Sequence, residues 1–245
     1  MNIVNAFWEK ENLGLSVAEV HFENGELPSL ESLCALDEYD YIVASVPVLN
    51  NQLIHQLENN GYRFLESIIS LELFGLSSYK PPSIFDIYTD NIESIKVTDE
   101  LKIKKIFDEI DNGIFTTDRI AIDPELGERY SATRFKNWIK NSLLESDRCF
   151  LYIVRFDGEE IGFFLIKDLG DNLFTSVIAG LFKPYINSGL GGTVLIAPVL
   201  EAKKLNGKKI VTRNSLNNTE SLKIHLELGY KLNKGSYVFR KINSK

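Results

Sequence analysis

The chain has 245 residues, with 27 Lys or Arg against 34 Asp or Glu, which gives a formal net charge of −7. Its 44% hydrophobic and 25% charged residues are ordinary for a globular protein and exclude wholesale disorder and low-complexity fibres. The acidic balance argues against duplex nucleic acid as a partner, and two cysteines with three unclustered histidines favour neither a disulfide framework nor a metal enzyme.

The N-terminal segment has no basic region followed by a long apolar run, and no stretch approaches 18 uninterrupted apolar residues. We therefore expect no secretory signal and no membrane insertion, and we expect a soluble cytoplasmic protein.

The segment 1–80 predicts a small mixed α/β unit. Ser29 is a suitable N-cap, and helical spacing of Leu53, Ile54 and Leu57 precedes an Asn60-Gly61 stop. The predicted elements are a strand at 15–22, a short helix at 29–36, a strand at 39–47, a helix at 51–59 and an extended stretch at 62–74.

A boundary is predicted where the chain has little apolar content and its only Pro-Pro pair, Pro81-Pro82. We expect a partial N-terminal domain at 1–80, a linker at 81–90 and a second domain at 91–245.

The second domain predicts an ordered alternation of strands and helices. Asp157-Gly158 between two apolar runs is a hairpin signal, and Phe135, Trp138 and Ile139 are spaced for one buried helix face, with Trp138 in the core. Strands are expected at 92–97, 149–156, 160–167, 174–182, 210–213 and 237–241, and helices from residue 98 or 99, around 130–144, after a Gly-rich turn and near 218–228. Their order is β-α-α-β-β-β-turn-α-β-α-β.

One segment of the first domain repeats the pattern of the C-terminal region. Residues 42–63 and 210–231 both read as a strand, a double Asn, a helix and Gly-Tyr followed by a basic residue. The first domain is therefore interpreted as a truncated copy of the C-terminal part, although chance similarity between segments rich in Leu, Asn and Glu is the alternative. Since the first copy lacks a Gly-rich turn, we expect it to bind no phosphate.

The Gly-rich turn is the motif with the clearest chemistry. Ser188-Gly189-Leu190-Gly191-Gly192-Thr193 lies between a strand and a helix, where backbone N–H groups and the helix N-terminus can face a pyrophosphate. It is neither a P-loop nor a GxGxxG fingerprint. A tight turn without a ligand is the alternative interpretation.

This turn, the strand before it, the segment 217–222 and the Gly229-Tyr230 ending together resemble the GNAT superfamily of acetyl-CoA-dependent N-acetyltransferases. The turn of that superfamily reads Gln/Arg-x-x-Gly-x-Gly/Ala; here Gly191 matches, whereas Ser188 and Thr193 depart from the pattern. A register with Asn187 first and Gly192 last is also open. The resemblance implies an α/β (α+β) fold, with a mixed sheet flanked by helices and preceded by a smaller partial GNAT-like domain.

More of the chain resembles one branch, the dTDP-fucosamine acetyltransferases, which acetylate a nucleotide-linked 4-amino sugar. The likeness begins at Trp8-Glu9, includes the unit at 57–73 and Phe135-x-x-Trp138-Ile139, and continues through the Gly-rich turn to Tyr237. It implies direct attack of a neutral amine on the acetyl-CoA thioester, with no metal.

The resemblance also implies roles for particular residues. The residues expected to bind acetyl-CoA are Gly180, Leu181, Phe182, Ser188, Gly189, Leu190, Gly191, Gly192, Thr193 and Asn218, with an N–H near 180–182 facing the acetyl oxygen. The usual proton-donating Tyr, seven residues after Asn218, is replaced by His225. The residues expected near the acceptor, in or after the loop at 115–124, are Asp118, Arg119, Tyr130 and Arg134.

Several alternatives stay open at this point. In one alternative, His225 is not catalytic but is a half-exposed structural residue on a helix whose core side is Leu222, Leu226 and Leu228. In another, Tyr230 or Tyr237 supplies the acid. No residue stands out as the general base. An alternative function is acetyl transfer to another small amine, an amino acid or a peptide. A further alternative is a protein that binds CoA without catalysis. A homodimer is a further expectation.

Overall fold

The computed structural model describes residues 1–144 and 147–243 and contains one mixed ten-stranded sheet. The strands are β1 (Asn2–Asn5), β2 (Val17–His21), β3 (Tyr41–Pro47), β4 (Arg63–Phe74), β5 (Ile92–Lys96), β6 (Cys149–Phe156), β7 (Glu159–Asp168), β8 (Leu173–Leu181), β9 (Lys209–Ser215) and β10 (Lys231–Ile242). The helices are α1 (Glu9–Leu13), α2 (Leu30–Cys34), α3 (Asn51–Asn59), α4 (Asp86–Thr89), α5 (Glu100–Asp111), α6 (Glu128–Leu144), α7 (Gly191–Lys204) and α8 (Thr219–Glu227).

Hydrophobic cores cover both faces of the sheet. Along β6, Leu151 and Ile153 pack with α5 and α6, whereas Tyr152 and Val154 pack with α7, because successive strand residues point to opposite faces. The same alternation in β3 separates the core under α2 and α3 from the core that includes α1 and Ile120. Among the described residues, no helix combines the length and apolar character needed to cross a membrane.

The predicted elements are largely present. The helix at 51–59 and the strand at 149–156 have the predicted bounds, and Ser29 caps α2 by accepting a hydrogen bond from the Ser32 N–H. β1 and α1, which are four and five residues long, were not predicted from the sequence. Trp138 was expected in the core but is 40% exposed, with Phe135 stacked beside it and the Arg134 guanidinium over its ring.

The two halves of the chain exchange strands. The sheet order is β1-β2-β3-β10-β4-β9-β8-β7-β6-β5, so β4 lies between two C-terminal strands and β10 lies between two N-terminal ones. The division at residues 81–90 therefore remains a proposal, since three strand pairs, β3–β10, β4–β10 and β4–β9, join the two sides. Residues 244–245 of the proposed second domain lie outside the described part.

The repeated segments have corresponding structures. The elements of the unit β3-α3-β4 begin at Tyr41, Asn51 and Arg63, and those of β9-α8-β10 begin at Lys209, Thr219 and Lys231, with the same spacing in both. The pairing is also reciprocal, since β3 pairs with β10 and β9 pairs with β4, all antiparallel. The two units are thus related by a local two-fold axis between β4 and β10.

The predicted linker is folded against the second half of the chain. Phe85 is buried, and the Tyr88 hydroxyl donates to the Gly189 carbonyl over 3.0 Å. A Cβ on Gly192 would lie 3.1 Å from the Tyr88 ring, so this glycine permits the close approach of the segment. Residues 81–90 thereby support the Gly-rich turn.

Candidate functional site

The sheet opens between β8 and β9. These parallel strands pair only where Leu173–Thr175 face Lys209–Val211, after which β8 continues to Leu181 and β9 to Ser215. Beside the opening, Leu165 pairs with Ile178 and Ile166 with Ser176, which leaves Val177 as a β-bulge. Such bulges commonly stand beside active sites because they redirect backbone and side chains.

A cavity of about 180 Å³ occupies this opening. It runs from the face covered by α6 to the face covered by α7 and α8. Its lining comprises Phe115, Thr117, Asp118, Phe135, Ser176, Val177, Ile178, Ala179, Leu195, Thr212, Arg213, Asn214, Ser215, Asn218, Ser221 and His225. Three predicted site residues, Asp118, Asn218 and His225, therefore meet at one cavity. In the described ranges, no group of three or more His, Cys, Asp or Glu is arranged to hold a metal ion.

The strand β8 turns some of its N–H groups toward the opening. Phe182 N–H donates to the Ile161 carbonyl over 2.8 Å. Because hydrogen-bonded and non-hydrogen-bonded residue pairs alternate along an antiparallel ladder, the N–H of Gly180 also points to β7. The same alternation directs the N–H groups of Ala179 and Leu181 away from β7. Of the three expected residues, Gly180 and Phe182 therefore direct their N–H groups to β7, whereas Leu181 directs its N–H away from β7, as Ala179 does.

The Gly-rich turn presents unused backbone donors at the start of α7. Among the hydrogen bonds of the described residues, the N–H groups of Gly189, Gly191 and Gly192 have no acceptor. They lie at the partially positive end of a 14-residue helix, about one turn before the cavity-lining Leu195. This geometry suits an anion.

The other residues of the turn have internal hydrogen bonds. Ser188 N–H donates to the Tyr185 carbonyl over 3.2 Å, and the Ser188 hydroxyl accepts from Leu190 N–H over 3.3 Å. Thr193 N–H donates to the Leu190 carbonyl, and the Thr193 side chain is fully buried. These three N–H groups, which were expected to bind acetyl-CoA, instead shape the turn.

His225 is a buried, hydrogen-bonded imidazole. It is 5% exposed, and its Nδ1 lies 2.7 Å from the Ser221 carbonyl, which requires a proton on Nδ1 and leaves Nε2 as an acceptor. Burial lowers the pKa of His225, and the bond to the Ser221 carbonyl opposes this effect. The resting ring is therefore neutral at pH 7.

Tyr230 and Tyr237 are the alternatives to His225 as the proton donor. Tyr230 packs edge-on against the His225 ring, with centroids 5.0 Å apart, and burial raises the pKa of its hydroxyl. Tyr237 packs on the core beneath α3 and does not line the cavity. His225 faces inward and is not half-exposed, and Leu226 is 44% exposed, whereas Leu222 and Leu228 pack on the core as expected.

Asn218 caps α8 at the edge of the cavity. Its Oδ1 accepts a hydrogen bond from Ser221 N–H over 3.1 Å, and Asn214 Nδ2 donates to its carbonyl over 3.1 Å. The side-chain oxygen is thus used to start the helix that carries His225, and the Nδ2 group remains as a donor.

The residues expected near the acceptor form an ion network with the N-terminal half. Arg119 is paired with Glu19, and Arg134 Nε lies 2.8 Å from Glu9, whose side chain is 1% exposed. These pairs neutralise both guanidinium groups, which makes them structural rather than open to an anion. Tyr130 is 37% exposed on α6 and is not part of the cavity lining.

Asp118 faces the cavity and is held from two sides. Ile120 N–H donates to its Oδ1 over 3.0 Å, and the Ser131 hydroxyl donates to its Oδ2. The loop at 115–124 therefore positions this one predicted carboxylate at the cavity wall.

Arg213 and Glu66 are site residues that the sequence reading missed. Arg213 lines the cavity, and in the described part of the chain no carboxylate oxygen lies within 4 Å of its guanidinium. Glu66 is 3% exposed on β4, the strand that pairs with the β9 strand of Arg213, and burial raises the pKa of its carboxyl. Neither has a local motif; a charge within an apolar strand pattern was the only signal.

The overall fold matches solved structures at low sequence identity. A GCN5-related N-acetyltransferase from Sphaerobacter thermophilus aligns with a TM-score of 0.59 and 11% identity over 84% of this chain, which spans 60% of that one. A tandem GNAT protein from the clavulanic acid biosynthesis pathway gives a TM-score of 0.58 and 10% identity, covering 94% of this chain and 76% of that one.

A third structure is the GCN5-related glucosamine N-acetyltransferase region of a fungal multi-domain β-N-acetylglucosaminidase. It gives a TM-score of 0.61 and 12% identity, covering 82% of this chain and 25% of that one. No family model and no curated protein matches the sequence. The chain therefore has the GNAT fold, a mixed sheet flanked by helices, and this likeness establishes the fold alone.

Proposed function

We propose that this GNAT-fold protein is an N-acetyltransferase that moves the acetyl group of acetyl-CoA to an amine. The observation that carries the proposal is the opening between β8 and β9, with a cavity at its centre and unused N–H groups at the adjoining helix start. A long ligand with a reactive end and a pyrophosphate matches both features at once.

The chain's donors fit two parts of such a ligand. Gly189, Gly191 and Gly192 offer N–H groups to the pyrophosphate, while Ala179 and Leu181 offer theirs to the amide-containing arm that leads into the cavity. The Val177 bulge lies beside the place where the carbonyl oxygen gains charge, which a preorganised N–H stabilises.

The proposed role of His225 follows from its resting state. The acceptor nitrogen attacks the thioester carbonyl carbon, the carbon–sulfur bond breaks, and one proton must pass from nitrogen to sulfur. Neutral Nε2 can accept that proton, and the lowered pKa of the buried ring makes the protonated form release it readily.

For the acceptor we propose the amine of a nucleotide-linked amino sugar. Arg213 supports this choice, since an unpaired guanidinium at the cavity wall suits the bidentate hydrogen bonds of a phosphate. A structure of the same fold is described as a glucosamine N-acetyltransferase, which is consistent with an amino sugar.

Acetyl-CoA should stabilise the folded chain. At about 100 times its Kd, a ligand that binds only the folded state adds roughly 2.7 kcal/mol, which is about 5–10 °C in Tm for a chain of this size. Differential scanning fluorimetry checks this, with adenosine as a control that lacks the pyrophosphate and the thioester arm. No shift with saturating acetyl-CoA would contradict the proposed function.

Arg213→Gln should impair use of acceptors that carry phosphate. Losing a charge-assisted bidentate contact should raise KM for a nucleotide-linked amino sugar about 10-fold or more, with kcat within about 3-fold. Thiol release measures both constants. Glucosamine, which lacks phosphate, is the matched acceptor, and an equal loss with glucosamine would count against phosphate recognition by Arg213.

A further inference from the structure

The loop at 115–124 has two parts with different surroundings. Its first part lines the cavity through Phe115, Thr117 and Asp118. Its second part packs on the N-terminal half of the chain, where Ile120 is 1% exposed in the core that includes α1 and β3. Residues that line the cavity are thus followed directly in sequence by residues that are held by another part of the molecule.

Arg119, the residue after Asp118, is the first of two charged anchors in this loop. Its Nη2 donates to Glu19 of β2 and lies 3.5 Å from Glu9 Oε1 of α1. Burial raises the pKa of Glu19, but the Arg119 guanidinium opposes this effect, and the net shift is downward. Glu19 is therefore ionised at pH 7, and the loop is tied to β2 and α1 by opposite charges.

Asp123 is the second anchor, and its side chain is fully buried. The Tyr41 hydroxyl of β3 donates to Asp123 Oδ2 over 2.7 Å, and Arg240 Nε of β10 lies 3.4 Å from the same oxygen. Asp123 Oδ1 accepts from Glu125 N–H over 2.9 Å, which fixes the chain just after the loop. Burial and the Asp123 carboxylate raise the pKa of Tyr41, so its hydroxyl keeps the proton that it donates.

The partners of both anchors project from one face of the sheet. Glu19 of β2 and Arg240 of β10 are both paired with Val43 of β3, and paired residues share a face. Tyr41, two positions before Val43, lies on that face too. Three hydrogen-bonded strands therefore hold both anchors on a single rigid surface.

We propose that the N-terminal half determines the affinity for the acceptor, because its strands hold Asp118 at the cavity wall through Arg119 and Asp123. This inference rests on the proposed acetyltransferase function, and it gives Asp118 the hydroxyl groups of the amino sugar as ligands. The two oxygens of Asp118 accept one hydrogen bond each, from Ile120 N–H and the Ser131 hydroxyl. Each oxygen keeps a second lone pair for a ligand. Arg119 and Asp123 are thus positioning residues.

Charged anchors suit this role better than apolar packing would. Desolvation offsets much of the attraction within a buried ion pair, so the net gain in stability is small. Charged hydrogen bonds are directional, however, and here they fix the backbone on both sides of Ile120. A carboxylate that must meet particular hydroxyl groups needs such a fixed backbone, because hydrogen bonds weaken steeply when their length and angle change.

The test measures KM for the acceptor and for acetyl-CoA in wild type, Glu19→Gln and Tyr41→Phe. Thiol release is the assay, with the amino sugar, free or nucleotide-linked, that gives the fastest wild-type release. Glu19→Gln should raise the acceptor KM about 10-fold and Tyr41→Phe about 3-fold to 5-fold, because each removes one hydrogen bond of an anchor. The KM for acetyl-CoA should stay within about 2-fold, since neither variant alters the Gly-rich turn.

Tyr62→Phe is the matched control for Tyr41→Phe. Tyr62 is 1% exposed and Tyr41 is 0% exposed, but Tyr62 packs in the core beneath α2 and α3, on the other face of the sheet. In the described part of the chain its hydroxyl has no hydrogen-bond partner, so both KM values should be those of wild type. Arg119 keeps Glu9 in Glu19→Gln, and a phenyl ring fills the same space in Tyr41→Phe. If one of these variants unfolds, the other decides the result.

The decisive readout is whether the anchors act through Asp118. Asp118→Asn alone should raise the acceptor KM about 10-fold, and adding Glu19→Gln to it should raise that KM by less than about 2-fold more. Three results would overturn the inference: equal factors for Glu19→Gln in both backgrounds, a wild-type acceptor KM in Asp118→Asn, or a rise shared equally by both substrates.

The inference and the proposed function fail in different ways. Active wild type with an unchanged acceptor KM in both Glu19→Gln and Tyr41→Phe would overturn the inference alone. Wild type that releases no thiol with any acceptor would overturn both together.

Discussion

His225→Phe should lower kcat about 100-fold to 1000-fold while acetyl-CoA binding is unchanged. The ring shape is nearly kept, but phenylalanine lacks the Nε2 that would carry a proton between nitrogen and sulfur. The buried Nδ1 bond to the Ser221 carbonyl is also lost, so a modest fall in Tm is expected near pH 8. Pre-steady-state thiol release measures the effect on chemistry, and fluorimetry measures binding.

Two comparisons make this result specific. His55→Phe replaces a histidine whose side chain is 75% exposed on α3 and should leave kcat unchanged. Below about pH 6.5 His225 binds a proton in the unfolded chain, whereas its lowered pKa keeps it neutral in the folded chain. The free energy of unfolding of wild type therefore falls in that range, and that of His225→Phe should fall less. Loss of acetyl-CoA binding in His225→Phe would make the residue structural instead.

Gly189→Asp should weaken acetyl-CoA binding about 10-fold or more. Gly189 has φ +85° and open space where a Cβ would stand, and Asp tolerates this left-handed conformation better than most residues. The added carboxylate would face the pyrophosphate at short range, where like charges repel by about 1–4 kcal/mol near a protein surface. Isothermal titration calorimetry gives the Kd.

Gly189→Asn is the control for that substitution. Its side chain has the same shape and the same tolerance of positive φ but no charge, so its Kd should stay within about 3-fold of wild type. Equal weakening in both variants would show that bulk at the turn is responsible, and unchanged binding in Gly189→Asp would place the pyrophosphate elsewhere.

Local patterns were enough to predict most elements. The helix at 51–59 follows from its spacing of Leu53 and Leu57 with a Gly stop, and the hairpin β6-β7 from Asp157-Gly158 between apolar runs. The Gly-rich turn was also found, because a helix start rich in glycine is itself a local signal. Element type therefore depends mainly on residues close together in sequence.

The missing parts of the site depend on residues far apart in sequence. Nothing near Glu66 indicates that β4 lies beside β9, which comes from the other half of the chain. The same holds for Arg119 and Arg134, whose partners Glu19 and Glu9 are 100 and 125 positions away in the sequence. Their side chains alone indicated an open anion site, and only the tertiary pairing shows their charges to be neutralised.

The strand exchange has a consequence for how this chain reaches its folded state. β3 obtains its second neighbour from β10, as in the pairing of Ala44 with Phe239, so this strand pair cannot form until β10 has been synthesised. Until then the edges of β3 and β4 stay exposed to other chains. Such distant pairings slow folding, and neither half can complete its sheet during translation before β10 has left the ribosome.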